Sequence, residues 1–227
     1  MLPGVYQVSV LGSAVTILCE GDSVVLLDAG LRTSPRRVSD FLGAQGLSLR
    51  NVTHILVTHC HPDHIGGLAA LKETTGAQVG AHPLDAPYVC GVQTYPAPFV
   101  ARTLNGLTSP LFHLTRPRPV VVDIALEDGF RLDFLGGLEV IHTPGHTLGS
   151  ISVYLPALGL LHVGDALESE RGRLELPSQW FTQDMNQAKE SIERLSHLAV
   201  ETISFSHYPP MRKEARIALQ ELVERFT

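Results

Sequence analysis

The run His59–Cys60–His61–Pro62–Asp63–His64 places three histidines and an aspartate within six positions. Imidazole and carboxylate are the side chains that zinc, iron and manganese accept. The run follows Thr53–Thr58 (THILVT), which reads as a strand. Extended backbone repeats its side-chain direction every second residue, so His59 and His61 point the same way and can converge on one ion. The turn at Pro62 redirects Asp63 and His64, which can serve a second ion nearby. Gly66 and Gly67 let the backbone fold tightly against the site. A lone histidine is usually a surface or satisfied core residue. A cluster of this kind would repel itself on protonation and gain little from packing, so metal binding is the favoured reading. Cys60, by the same alternation, points away and is not expected to be a ligand.

Three further positions fit this chemistry. His146 lies in Thr143–Pro144–Gly145–His146–Thr147–Leu148–Gly149–Ser150, Asp165 in Val163–Gly164–Asp165, and His207 after Ser204–Phe205–Ser206. Each stands just after a predicted strand, where sites gather in sheet proteins. His82 and His142 are candidate outer partners, since ligand imidazoles need one. His162 reads as packing. His54, His113 and His197 have no partner motif. Tyr208, beside His207, is within reach of a substrate oxygen or is an ordinary buried tyrosine. Arg116 and Arg118 read as solvated surface charge.

The elements that must position these residues alternate in type. Strands are predicted at Val5–Val10, Ala14–Cys19 and Ser23–Asp28, then a helix opening at Ser34–Pro35, the strand ending at Thr58, a helix through Leu68 and Leu71, and a strand at Gln78–Ala81. Five more strands are predicted in series: Val120–Ile124, Phe130–Phe134, Leu138–His142, Ile151–Leu155 and Gly159–Val163. Asp184 and Gln187 form a capping box for a helix reaching about Leu198. Thr202–Ser206 is a last strand and Met211–Phe226 a last amphipathic helix, with Ile217, Leu219, Leu222 and Val223 as its apolar contacts. Strands then helices, twice over, imply two similar halves, each a sheet covered by helices. No linker separates them, so residues 1–227 are read as one domain. Between 83 and 118 the pattern dissolves, as in lids and binding loops.

Composition narrows the class. The net charge is −6, and an acidic balance argues against nucleic acid, because phosphate neutralisation needs clustered Lys and Arg. Cys19, Cys60 and Cys90 form no C-x-x-C and no disulfide scaffold, which suits a reducing compartment. No apolar run approaches the ~20 residues that span a bilayer. The first basic residue is Arg32, so no positive n-region of a secretory signal is visible. The expectation is a cytoplasmic protein with a small-molecule substrate, no nucleic-acid or membrane partner, and compatibility with a homo-oligomer.

Taken together, these motifs resemble the metallo-β-lactamase superfamily. HCHPDH is similar to its H-x-H-x-D-H motif, and TPGHTLGS, HVGDA and SHY resemble the later ligand motifs in the family's order. LLDAG at Leu26–Gly30 resembles the first motif, whose aspartate, here Asp28, supports the site without binding metal. The resemblance implies an α/β fold, a four-layer αββα sandwich with metals in a cleft at one edge. It implies that His59, His61 and His146 hold one ion, that Asp63, His64 and His207 hold the other, and that Asp165 bridges them. Zinc is the expected metal, with iron and manganese as alternatives.

Two divalent ions about 3.5–4 Å apart share a water and lower its pKa from about 15.7 towards ~7. The resulting hydroxide attacks a carbonyl or phosphoryl centre, with one ion as electrophile for the oxyanion. Asp63 is the natural proton shuttle. Within the family, glyoxalase II enzymes carry an added C-terminal helical domain, not expected here because the chain ends about one helix after His207. Lactonases often carry a tyrosine three positions beyond the bridging aspartate, where this chain has Glu168. The β-lactamases require export, and the nucleases a basic surface. The expected activity is a binuclear metallohydrolase for a small ester, lactone or thioester. The alternatives are a mononuclear iron persulfide dioxygenase, a phosphodiesterase and a β-lactamase-like hydrolase.

The stretch from Cys90 to Arg118 contains Pro96, Pro98 and Pro110 and an apolar series that includes Phe112. Proline stiffening suits a substrate wall better than a moving flap. If Phe112 lines the substrate, Phe112→Ala shifts the relative kcat/KM for long and short acyl substrates by about 1–3 kcal/mol, with metal content unchanged. Lowered thermal stability without any change in chain-length preference assigns Phe112 to packing instead.

Overall fold

A computed structural model of the chain describes residues 2–94 and 116–227. Of the expected insertion at 83–118, residues 95–115, with Phe112, lie outside that description. Two six-stranded sheets dominate. The first runs in chain order: β1 (Val5–Val10), β2 (Ser13–Glu20), β3 (Ser23–Leu27), β4 (Val52–Leu56), β5 (Gln78–Ala81) and β6 (Ile124–Ala125). Its first three strands are antiparallel neighbours, whereas β3, β4, β5 and β6 pair in parallel. The second sheet contains β7 (Arg131–Leu132), β8 (Leu138–His142), β9 (Ile151–Leu155), β10 (Leu160–His162), β13 (Thr202–Ser204) and β14 (Met211–Arg212), in the order β14-β13-β10-β9-β8-β7. Between β10 and β13 the chain inserts a small hairpin, β11 (Glu168–Glu170) and β12 (Arg173–Glu175), which the sequence pattern does not announce.

Strand alternation explains the layering. On β3, Val24 and Leu26 face α1 (Ser34–Ala44) and α3 (Leu68–Thr75), packing with Val38, Leu42, Leu68 and Leu71. Val25 and Leu27 face the other sheet and pack with Val140, Val153 and Leu160. Burial on both faces is why these strands read as continuous apolar runs. Leu161 turns outward to α5 (Met185–Ser196) and α6 (Ala215–Glu224), meeting Ile192, Leu195, Leu219 and Leu222. The result is helices, sheet, sheet, helices, the αββα order expected from the motifs.

Several boundaries differ from the sequence reading, for local reasons. The strand expected at Val120–Ile124 pairs only over Ile124–Ala125. The Asp123 carboxylate accepts the Val79 N–H and the Lys72 ammonium, and Lys72 also donates to Val121 O, so side chains take over part of the ladder. The helix expected from Met211 begins at Ala215. Met211 and Arg212 instead pair with Ile203 and Thr202, and Lys213 and Glu214 follow with φ of 63° and 53°, which no right-handed helix continues. Ile217, an expected core contact of that helix, is 53% exposed. At α5 the Asp184 carboxylate caps the Asn186 and Gln187 N–H groups, while Gln187 returns to the Asp184 side chain and not to its backbone.

Two parallel pairs set the working edge. In β3/β4 the pairing carries Asp28 and His59 out of the sheet side by side, with Asp28 N–H donating to Leu56 O at 2.9 Å. In β10/β13 it does the same for Asp165 and His207, with Val163 N–H donating to Ser204 O at 3.0 Å. The two sheets touch here: Ile151 N–H donates to Thr58 O at 2.9 Å, and Ala14 N–H to Ser206 O at 2.8 Å.

Leu160 has no exposed surface and packs between the sheets on the strand that leads to Asp165. Leu160→Ala is expected to cost about 2–5 kcal/mol in urea unfolding, and Ile217→Ala less than about 0.5 kcal/mol. Equal effects of the two substitutions contradict this layering.

Candidate metal centre

Seven side chains of ligand type gather at that edge in two groups. His59, His61, His146 and Asp165 have ligand atoms within 4.8 Å of one another, as do Asp63, His64 and His207. His59 and His61 lie on extended backbone after β4, and His61 is the N-cap residue of α2 (Pro62–Ile65), which carries Asp63 and His64. His146 sits in the turn between β8 and β9, Asp165 after β10 and His207 after β13. The loop after α2 is drawn in so tightly that a Cβ on Gly67 would lie 2.4 Å from Ala29 O, which accounts for glycine there.

In the first group, His61 Nδ1 and His146 Nε2 are 3.0 Å apart. Asp165 Oδ2 lies 3.7 Å from His146 Nε2 and 3.9 Å from His59 Nε2. In the second, His207 Nε2 is 3.2 Å from Asp63 Oδ2 and 3.3 Å from His64 Nε2. Asp165 reaches this group too, with Oδ1 at 3.5 Å from His64 Nε2 and Oδ2 at 3.2 Å from His207 Nε2. It therefore stands between the two groups and faces both.

The opposite ring nitrogens are committed elsewhere. Asp28, fully buried, accepts from His64 Nδ1 at 2.7 Å and from the Thr58 hydroxyl at 2.8 Å. Because Thr58 gives its proton to Asp28, its oxygen accepts from His59 Nδ1 at 3.1 Å. His207 Nδ1 donates to Gly12 O at 2.8 Å, and His146 Nδ1 lies 3.5 Å from Thr182 Oγ1. A histidine whose Nδ1–H is held by protein presents its Nε2 lone pair to an ion. His59 Nε2 is buried and makes no hydrogen bond. Such an orphaned acceptor is costly in an apolar interior, and a cation satisfies it.

Electrostatics separates the groups. Burial drives His59 well below the usual imidazole value, His61 down to about 3 and His146 down to about 4, so these rings stay neutral, as ligands must. Burial acts against protonation of His64 and His207 as well, but neighbouring carboxylates outweigh it. Asp165 and Asp28 raise His64 well above its usual value, and Asp165 and Asp63 raise His207 to about 10. Against the effect of burial, those same histidines hold Asp165 well below the carboxylate range. A divalent ion in the second group would displace protons and take their place as counter-charge. The donor set of five imidazoles and two carboxylates fits zinc, iron or manganese.

The remaining candidates fall in different places. Tyr208 stacks edge-on against Phe205 at 6.0 Å; burial and the Glu168 carboxylate raise its phenol to about 12. His82 and His142 stack on each other at 3.9 Å, with His142 Nε2 donating to Leu148 O. His162 is buried, with Nδ1 3.1 Å from Ser204 Oγ. Cys60 is buried, with its backbone N–H on Asp85. Arg118 forms an exposed pair with Glu73 at 2.8 Å. Sequence reasoning misses Thr58, Thr182 and Asp85. Thr58 and Thr182 carry no motif of their own, and Asp85 lies in the stretch where the sequence pattern dissolves.

A family model described as the metallo-beta-lactamase superfamily matches residues 8–207. A relative named "Probable metallo-hydrolase YflN" in Bacillus subtilis (strain 168) is 33% identical over 92% of this chain and 84% of its own. A "Hydroxyacylglutathione hydrolase" of Pseudomonas aeruginosa (strain LESB58) is 36% identical over 74% of this chain, which spans only 52% of that enzyme. Among solved structures, a metallo-beta-lactamase family protein from Thermus thermophilus superposes with a TM-score of 0.78 at 26% identity, covering 99% of this chain and 79% of that one.

Asp165→Asn keeps the shape and removes the charge that faces both groups. Metal analysis is expected to show one ion lost per chain, or kcat to fall sharply, with an unchanged circular dichroism spectrum. Full occupancy with normal turnover contradicts the bridging position.

Proposed function

The chain belongs to the metallo-beta-lactamase superfamily, and from that premise we propose that it is a binuclear, zinc-dependent hydrolase of small acyl esters, lactones or thioesters. The observation that carries this reading is the position of Asp165, with carboxylate oxygens facing both ligand groups. Ions held by the two groups would supply an activated water and an electrophile for the scissile carbonyl. The net reaction adds water across the acyl bond, giving an acid and an alcohol or thiol.

The chain's own residues do the rest. Asp63, more exposed than Asp165 and 3.2 Å from His207, takes the proton from the attacking water and returns it to the leaving oxygen or sulfur. Asp28 holds His64 directly and His59 through Thr58, which fixes both rings before substrate arrives. Gly12 O does the same for His207.

Exposed apolar residues adjoin, along the chain, two residues that contact the cluster. Leu11, 91% exposed, precedes Gly12 at the β1–β2 turn. Trp180 and Phe181, also exposed, precede Thr182 beside His146. Exposed apolar groups around a polar centre suit a substrate with an apolar acyl portion. Tyr208, which follows His207 in the chain, is assigned to the same wall in this reading. Among acyl bonds the thioester draws additional support from the hydroxyacylglutathione hydrolase relatives, although this chain spans about half of their length. A cytoplasmic location is part of this proposal; among the described residues no helix is long and apolar enough to cross a membrane.

The test is metal analysis of native protein, then a screen of acyl thioesters, lactones, esters and phosphodiesters on that metal form. Two ions per chain and turnover of the acyl substrates are expected. One iron per chain with oxygen consumption on a persulfide replaces this reading with a dioxygenase, and preferential phosphodiester turnover rejects the acyl assignment.

A further inference from the structure

A second buried carboxylate, outside both ligand groups, ties together the two loops that form the first one. Asp85 is 2% exposed and lies just before α4 (Ala86–Val89). Its Oδ2 accepts the Cys60 N–H at 2.8 Å and the Thr147 hydroxyl at 2.8 Å, and its Oδ1 accepts the Gly149 N–H at 3.0 Å. Cys60 lies between His59 and His61, and Thr147 follows His146. One side chain thus grips the backbone between two ligand histidines and the turn that supplies the third, from a part of the chain remote from that turn. The approach is close: a Cβ on Gly149 would fall 2.5 Å from Asp85 Oδ1 and 2.7 Å from Asp85 N.

We propose that Asp85 is the positioning residue of the His59–His61–His146 group, setting the separation of its two loops and hence the affinity of that group for its ion. The inference rests on reading the cluster as a metal centre. Its logic is that of buried polar satisfaction. A carboxylate taken out of water is tolerated only when its oxygens are hydrogen-bonded. The hydrogen bonds that hold this one all come from the two ligand loops. Displacing either loop breaks at least one of these bonds, so Asp85 resists the splaying that would pull His146 from His61. Asp28 acts on different atoms, orienting the rings of His64 and, through Thr58, of His59, whereas Asp85 holds the backbone of the two loops. An amide cannot replace Asp85, because its NH2 would face an N–H or O–H donor in either orientation.

Zinc affinities of wild type, Asp85→Asn and Thr147→Val are measured by competition with a chromophoric chelator. Visible and paramagnetic NMR spectra of the Co2+ forms assign each ion to its histidines. Asp85→Asn is expected to weaken the ion on His59, His61 and His146 by about 10–100-fold, to shift its Co2+ spectrum, and to leave the ion on His64 and His207 within roughly threefold. Thr147→Val, which removes one donor and keeps the volume, is expected to move the same site in the same direction, and it carries the test if Asp85→Asn does not fold. Equal weakening of both ions, or lower thermal stability with unchanged affinities and spectra, overturns the proposal. A wild-type chain that binds no ion overturns both this inference and the metal centre. One that binds two ions but cleaves no acyl substrate overturns only the proposed function.

Discussion

Left unpaired, a carboxylate buried as Asp28 is would cost several kcal/mol. It is not left unpaired. Its Oδ1 accepts the Thr58 N–H at 2.7 Å, and its Oδ2 accepts the Thr58 hydroxyl and His64 Nδ1. Ser206 Oγ approaches the same oxygen at 3.5 Å. These partners come from the end of β4, from α2 and from the end of β13, so satisfying one buried charge draws both sheets to a common point. Asp28 itself takes φ of 66°, a left-handed conformation that aspartate tolerates better than most residues. The strain aims the carboxylate into the gap between the sheets.

Everything at the candidate metal centre inherits that fixed frame. Orienting Nδ1 toward protein leaves Nε2 of His59, His64 and His207 turned toward the cluster. The groups then diverge in charge. Burial keeps the imidazoles of His59, His61 and His146 neutral, whereas the carboxylates beside His64 and His207 outweigh burial and favour their protonated forms. The first group is thus ready for a cation, while the second must exchange protons for one. Asp165 lies between them and faces both groups.

The sandwich makes this arrangement economical. Parallel pairing of β3 with β4, and of β10 with β13, sends neighbouring strand ends out at the same edge of each sheet. Interlayer packing of Val25, Leu27, Leu56, Val153 and Leu160 brings those edges together. Apolar burial of about 1.5–3 kcal/mol per large side chain offsets the cost of crowding imidazoles and carboxylates at the rim. The outer helices add their own cores.

Strand and helix identities were legible in the sequence wherever burial was strongly patterned: β1, β3, β5, β8 and β9 follow from alternation and apolar runs, and α5 from its cap. In contrast, the N-cap residue of α1 is Thr33 and not Ser34, the residue its Ser-Pro start suggests. The motif residues were legible as a possible metal cluster because three histidines and an aspartate within six positions would repel one another on protonation and gain little from packing. Short edge elements were not legible. At Met211 and at Val120–Ile124 the outcome depended on a partner strand and on the Asp123–Lys72 pair, which propensity cannot anticipate. Phe112 falls outside the described residues, and its role rests on sequence alone. Asp85 and Thr58 were invisible for a different reason. A lone aspartate or threonine carries no signal until folding removes it from water, and only the tertiary structure decides which donors must then satisfy it. The sequence by itself determined which side chains could bind metal and which strands could hold them. Tertiary packing decided which ring nitrogen each histidine presents, which carboxylates hold the loops and which imidazoles keep their protons, because each depends on desolvation and on partners distant in the chain.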